Sequence, residues 1–360
     1  MKRYFNTYYI KIGVIIAIFL SLPLYLIHFG IDNKLLNSIL IIIAFYLFYK
    51  ADIKTYPWIG FFTSILWLWW ISLSFRYYNV SLIIPFIILG IGIFYWIIFY
   101  LFTFLRFKLF ILIFFIFGLQ FIKPFGFDWF RYDILLPHTY FYIKTTPIKP
   151  ANLKIKLIHT KVPQNKKWEK TYIQKEINNN FNYIQNSIKD NYDVIVLPET
   201  AFPIPLDRYP QLLNYLKKLS KKIVIITGAL SYQNNKYYNS TYLFKDGNFQ
   251  IFNKHILVPF GEYIPIPCCK KLLNKLFFDG ADDFIPASNF SKFTIKNITF
   301  LNAICYEITN EKLYKQKQKY IIAISNNAWF YPSIEETLQK LLIEFYSNKY
   351  HKYVYHSINY

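Results

Sequence analysis

Apolar positions follow two regimes along the chain. Up to about residue 125 they form nearly continuous runs, at about 10–29, 34–49, 58–75, 81–104 and 107–122. Each run approaches the ~20 residues that cross ~30 Å of hydrocarbon, the second being short. The pattern predicts about five membrane spans. The first run follows Lys2 and Arg3. It is too long for a signal-peptide core, no small-residue cleavage site follows, and more spans come next, so it is expected to stay. Lys2, Arg3, Lys11, Lys50, Lys54, Arg106 and Lys108 fall on one side of these spans, and only Lys34 and Arg76 on the other. The positive-inside rule makes the first side cytoplasmic. Five spans then place everything after residue 123 outside the cytoplasm. The segment 133–143 is aromatic and apolar but broken by Pro137. It is expected to be interfacial, with Trp129, Tyr132, Tyr140 and Tyr142 near lipid headgroups. A simple membrane anchor is the plainest alternative for the whole region.

Beyond residue 150 short apolar runs alternate with amphipathic stretches. Leu153–His159, Asp193–Leu197, Ile223–Thr227 and Tyr320–Ile324 predict strands. Thr241–Phe244 and Phe249–Phe252 predict a hairpin around Asp246-Gly247, and Phe293–Ile295 pairs with Ile298–Ile304 around Lys296-Asn297. Glu169–Asp190 predicts a helix with Ile173, Ile177, Phe181, Ile184 and Ile188 on one face. Pro210–Lys221 predicts another, with Leu212, Leu213, Leu216 and Leu219 inward, and Ile334–Tyr350 a third. The organisation expected is a helical polytopic membrane domain over 1–125 and an interfacial segment and linker over 126–150. An α/β domain, a sandwich of sheets covered by helices, follows over 151–360.

Composition narrows the function classes. The 360 residues are 54% hydrophobic and 22% aromatic, with a formal net charge of +21. There is no basic run of five or more and no zinc-finger or RNP-like motif, so nucleic acid is not an expected partner. The apolar runs make a lipid surface the better partner for this charge. Three cysteines, Cys268, Cys269 and Cys305, are too few for a disulfide framework, and the adjacent pair reads as structural or incidental. His255, His351 and His356 have no metal-like spacing.

Three polar residues stand at predicted strand ends. Glu199 follows the apolar Val194–Leu197, where desolvation raises a carboxyl and suits it to general-base work. Lys254 precedes a proline-bearing loop, and a fixed ammonium there would stabilise an oxyanion. Cys305 follows Phe300–Ile304; a nearby ammonium would favour its nucleophilic thiolate. Taken singly, each also reads blandly: a strand-end acid or helix cap, one solvated lysine among many, a buried inert thiol.

The surrounding words change that balance. They are Pro163-Gln164 through Lys167-Trp168, Leu197-Pro198-Glu199-Thr200-Ala201 and Tyr237-Tyr238-Asn239-Ser240. They continue with Asn253-Lys254 through Val258-Pro259-Phe260-Gly261-Glu262, Ala303-Ile304-Cys305-Tyr306-Glu307 and Ile324-Ser325-Asn326-Asn327-Ala328-Trp329-Phe330. From about 155 to 335 the chain resembles the carbon–nitrogen hydrolase (nitrilase) superfamily and, within it, the apolipoprotein N-acyltransferase family. The resemblance implies a nitrilase-like α-β-β-α sandwich with Glu199 as general base, Lys254 as oxyanion-stabilising cation and Cys305 as nucleophile. It implies Glu262 as a second acid that orients them, Tyr306 and Glu307 as support beside the cysteine, and Trp168 and Trp329 as lining of an acyl site. The implied reaction moves an acyl chain from a phospholipid, phosphatidylethanolamine in the family, through a Cys305 thioester. The acceptor is the α-amine of the diacylglyceryl-cysteine of an apolipoprotein. It needs no metal and no cofactor, and belongs at the outer face of a bacterial inner membrane.

Two departures from the family pattern bear on this reading. The family usually has more spans before the catalytic domain. In the family an arginine/asparagine/glycine phrase near this point leads into further strands and a final span, where this chain has Lys352, His356 and Asn359 and stops at Tyr360. An unpaired sheet edge is therefore expected. A membrane-tethered amidase acting on a small C–N bond, or a truncated non-catalytic membrane protein, are the alternatives.

Overall fold

The computed structural model describes residues 4–78, 80–105, 107–136, 148–277 and 282–360. Lys2, Arg3, Arg106, Pro137, Tyr140, Tyr142 and Pro147 lie outside the described residues. The chain forms two compact units, 1–144 with 332–345, and 145–331 with 346–360.

The first unit is helical. Its elements are α1 (Thr7–His28), α2 (Lys34–Lys50), α3 (Tyr56–Leu68), α4 (Ile84–Phe102) and α5 (Lys108–Ile113). Asn6 and Asn33 cap the first two, accepting from the N–H groups of Tyr8 and Leu36, as short polar side chains do for orphan donors. Three helical stretches, Thr7–His28, Ile53–Tyr77 and Ser81–Leu105, are long and apolar enough to cross a membrane, while Lys108–Phe121 is shorter. Large apolar side chains such as Ile42, Phe86, Leu89 and Ile97 are exposed, a surface suited to lipid rather than water. Inside, small residues let helices approach. A Cβ on Gly60 would come within 2.4 Å of the Phe99 ring and 2.9 Å of the Tyr95 carbonyl, so α3 and α4 pack at glycine distance. Trp129 and Tyr132 do not present their rings to the surroundings. Both are buried, Trp129 against Trp70 at 5.0 Å and Tyr132 against Phe115 at 5.0 Å. Their rings serve the unit's own core because enough aromatic partners surround them.

The second unit carries two sheets. The first joins β1 (Ile155–Leu157), β2 (Val194–Val196), β3 (Phe202–Pro205), β4 (Val224–Gln233), β5 (Lys236–Lys245) and β6 (Asn248–Asn253), in the order β1-β2-β4-β5-β6 with β3 also on β4. The second joins β7 (Lys292–Ile295), β8 (Ile298–Ile304), β9 (Tyr320–Asn326) and β10 (Tyr353–Asn359), in the order β10-β9-β8-β7. Helices α6 (Lys170–Lys189), α7 (Pro210–Leu219), α8 (Lys270–Phe277), α9 (Glu311–Tyr314) and α10 (Glu335–Tyr350) complete the chain, α10 beginning in the first unit's segment. Asn234-Asn235, Asp246-Gly247 and Lys296-Asn297 all have positive φ. Two such residues in a row make the tight turn whose twist matches a hairpin.

Alternation along the strands builds two cores. Val194, Val196 and Ile226 join Ile304, Ile322 and Ile324 between the sheets. Ile195, Leu197 and Ile225 point the other way, onto Ile177 and Ile184 of α6 and Leu216 of α7. Ile321 and Ala323 of β9, facing away from the inter-sheet core, are buried too, so strands of both sheets are covered on two faces. β3 and β10 were not among the predicted strands. β10 pairs in parallel with β9 along its whole length, and Thr160 bridges to Asn359 on its far side.

Candidate active site

The break between β2 and β3 positions Glu199. Val194–Val196 pairs with the first part of β4, and Phe202 and Pro205 with Ala229 and Leu230. Pro198 to Ala201 loop out between, with Thr200 at a φ of 48°. Gly228 of β4 lies under this loop, its N–H donating to the Pro198 carbonyl at 3.2 Å. A Cβ there would sit 2.5 Å from the Thr200 nitrogen and 2.6 Å from the Glu199 Cα. Only glycine lets the strand touch the loop so closely. From α6, Asn180 donates to the Ala201 carbonyl at 2.7 Å. Glu199 is thereby fixed and is 6% exposed.

Lys254 follows β6 and is held to β5 by its N–H on the Asn239 carbonyl at 2.9 Å. Its ammonium, 1% exposed, lies 2.8 Å from Glu262 Oε2 and 4.0 Å from Glu199 Oε1. Burial alone would lower Lys254, but Glu262, Cys305 and Glu199 outweigh it and hold it above the usual lysine range. It stays an ammonium. The turn after Val258 aims Glu262: Phe260 has a φ of 58°, and the Val258 N–H donates to Glu262 Oε2 at 2.8 Å.

Cys305 ends β8 and opens a 3-10 turn, Cys305–Thr309, with its own φ at 52°. A left-handed conformation in a residue with a side chain is strained and is found where a fold over-determines it. Glu307 supplies the determination. One carboxylate oxygen accepts from the N–H groups of His255 at 2.7 Å and Ile256 at 3.0 Å, and the other from that of Ile304 at 2.7 Å. Burial pushes Glu307 up, opposed by Lys254 and those three backbone donors. Tyr306 beside it is 5% exposed. Cys305 lies within electrostatic reach of two buried ammoniums, Lys254 and Lys167.

Six of the eight sequence-nominated residues are thus gathered or tied to one place: Glu199, Lys254, Cys305, Glu262, Tyr306 and Glu307. Trp168, at the end of the turn before α6, is 45% exposed. Trp329 is half-buried just beyond β9. Two further residues belong to the site. Asn239 uses its two N–H bonds on two carboxylates, Glu199 Oε1 at 2.7 Å and Glu262 Oε1 at 2.8 Å. Lys167 donates to the Glu199 backbone carbonyl at 3.1 Å. Both stand inside motif words already singled out, which was the available signal.

Apolar helices of membrane length, together with a two-sheet α/β unit that has a buried carboxylate and ammonium and a half-buried thiol at strand ends, define a membrane protein with an α/β unit of candidate thiol chemistry. A family profile described as the apolipoprotein N-acyltransferase integral membrane domain matches residues 7–171. The chain is 36% identical to the apolipoprotein N-acyltransferase of Wolinella succinogenes over 382 residues, 95% of this chain and 92% of that protein. It is 38% identical to that of Campylobacter jejuni, over 96% of this chain and 86% of that one, and 35% to that of Helicobacter pylori, over 90% and 86%. This chain belongs to the apolipoprotein N-acyltransferase family. Among solved structures it is similar to an amidase from Nesterenkonia, with a TM-score of 0.43 and 10% identity over 60% of this chain and 79% of that one. A CN-hydrolase superfamily protein from Xanthomonas campestris gives a TM-score of 0.43 and 13% identity, over 57% and 76%.

Proposed function

We propose that this chain transfers an acyl group from a phospholipid to the α-amine of a diacylglyceryl-cysteine at an apolipoprotein's N-terminus. The observation that carries this reading is the ammonium of Lys254, held between Glu262 and Glu199 beside Cys305. The chain aligns over 95% of its length with a relative of that name. Glu199 takes the thiol proton, and the thiolate attacks the ester carbonyl of the donor, phosphatidylethanolamine or a close analogue. Lys254 stabilises the tetrahedral oxyanion. The C–O bond breaks, the lysophospholipid oxygen recovers the proton from Glu199, and a Cys305 thioester remains. The acceptor amine then attacks the thioester and gives its proton to Glu199. The C–S bond breaks, the leaving sulfur takes that proton from Glu199, and an amide and the regenerated thiol remain. Both substrates carry chains anchored in a bilayer, which gives the apolar helices their purpose. The excess of Lys and Arg on one side of the spans supports an inner-membrane orientation with the α/β unit on the periplasmic face.

The test uses the full chain in vesicles of phosphatidylethanolamine bearing a labelled acyl group, with a synthetic diacyl lipopeptide as acceptor. A hydroxylamine-labile label on Cys305 and its passage to the lipopeptide are expected, and both are lost in Cys305→Ala. Transfer that survives Cys305→Ala sinks the mechanism. Turnover of small amides without any transfer from phospholipid would favour an amidase. A reporter fused after residue 150 that reads cytoplasmic overturns the orientation.

A further inference from the structure

Lys167 is as enclosed as Lys254, at 3% exposed, yet it lies outside the glutamate–lysine–cysteine set. It sits in a tight turn before α6, where its own N–H and that of Lys166 both donate to the Pro163 carbonyl at 3.1 Å. Its ammonium reaches the carbonyl of Glu199, inside the β2–β3 break. A narrow cavity lies beside it, lined among others by Thr160, Glu176, Asn180 and Glu199. The charged and titratable groups facing it are Glu199 from the break, Glu176 from α6 and Cys305 from the end of β8. Burying an ammonium is costly unless it is paired and bonded. A hydrophobic side chain of similar length would fill this place without that cost. The neighbourhood holds four carboxylates, Glu176, Glu199, Glu262 and Glu307, against the two cations Lys167 and Lys254. Without Lys167, one cation would face them all.

We propose that Lys167 is a positioning residue for the transfer reaction: its ammonium clamps the Glu199 backbone and supplies a second positive charge facing Cys305. This rests on the reading under Proposed function. Burial, opposed by Glu199, Glu176 and Cys305, leaves Lys167 lowered to about 8, so the charge is held at neutral pH. Removing it takes a cation from beside Cys305, which raises the affinity of the thiol for protons. The acid limb of the pH profile therefore moves to higher pH.

The experiment compares wild type, Lys167→Met and Lys167→Arg as full chains in phosphatidylethanolamine vesicles. Two profiles against pH are recorded: kcat/KM for transfer to the diacyl lipopeptide, and the rate of Cys305 alkylation by iodoacetamide, read on its own peptide by mass. Lys167→Met is expected to shift both acid limbs up by about one pH unit or more, so alkylation below the limb slows about tenfold. Lys167→Arg, which keeps the charge, leaves the limbs where wild type has them. A merely structural lysine would lower activity at every pH without moving either limb. Coincident limbs for wild type and Lys167→Met overturn the proposal, as does a displaced limb in Lys167→Arg. If Lys167→Met does not fold, Lys167→Gln, which keeps a donor and drops the charge, is read by the same criterion. If wild type transfers no acyl group, the function has failed, and alkylation still judges Lys167.

Discussion

Two buried ionic clusters in this chain are built to opposite rules. In the helical unit Arg131 meets Asp133 with two parallel bonds, Nε to one oxygen at 2.8 Å and a terminal nitrogen to the other at 2.5 Å. The guanidinium also lies 4.5 Å from the Phe345 ring. Here a guanidinium fork meets both oxygens of one carboxylate, with the Lys123–Asp128 pair close by. In the α/β unit Lys254 serves Glu262 at 2.8 Å and Glu199 only at 4.0 Å, and Asn239 bridges the two acids with neutral donors. A matched pair stabilises a geometry. An unmatched cluster keeps a carboxylate incompletely neutralised beside a thiol, which is what a proton acceptor requires.

This contrast is most exposed by removing one charge from each cluster. Lys254→Met is expected to lower transfer by about 10²–10³-fold in whatever protein remains folded. Asp133→Ala is expected to cost about 3–5 kcal/mol of stability while the folded fraction keeps its kcat. Thermal unfolding alongside single-turnover thioester formation separates the two effects, and a loss of kcat in Asp133→Ala would erase the distinction. Next in size is Gly228→Ala. Its Cβ would overlap the backbone at Thr200 and Glu199, so the base must shift, and a misplacement near 1 Å costs on the order of 10² in kcat. Asn239→Leu removes the shared donor without adding charge. A roughly tenfold fall in kcat is expected, from the ~1.5 kcal/mol of a bond to a charged group, with a steeper loss toward acid pH.

The smallest effect concerns His356, half-buried on β10 and bonded to Ser325 Oγ at 2.7 Å. Burial, with His159 nearby, lowers it to about 3. An unfolded histidine titrates near 6.5. The contribution of neutral His356 is therefore complete above that pH and lost as pH falls from about 6.5 toward 3. Its exposed edge discounts the loss to about 1–2 kcal/mol by pH 4. His356→Gln should flatten this slope in melting temperature; an unchanged slope assigns the acid sensitivity elsewhere.

The parts of the site that were legible in the sequence are those that follow an abrupt apolar run. Glu199 and Cys305 each follow a buried strand, and Lys254 closes a hairpin, so a polar residue there had to be either surface or chemistry. Asn239 lies inside β5, where it reads as one polar position in a two-sided strand. Lys167 is one of 41 basic residues and its turn has no periodicity; its motif phrase marked the turn, and contact with the Glu199 loop picks out the lysine within it. Among the strands, β3 carries Pro203 and Pro205, residues that cannot donate to a ladder. It pairs through an irregular register with only Phe202 and Pro205 in place. β10 mixes tyrosines with His356 and Ser357 because one side meets β9 and the other meets Ile158 and Thr160. Polar partners on both sides hide the apolar alternation that marks a strand. The burial of Trp129 and Tyr132 was not legible, since aromatic rings look the same in a headgroup layer and in a protein core.

Glu307 makes the reactive thiol conditional. Its carboxylate ties the Cys305 turn to both His255 and Ile256, residues some fifty positions earlier in the chain. Until that earlier loop has docked, one carboxylate oxygen lacks both of its donors and the left-handed turn at Cys305 loses that restraint. The pose of Cys305 and the loop that carries Lys254 therefore form together, and a chain short of that docking holds the thiol in no fixed pose toward the ammonium.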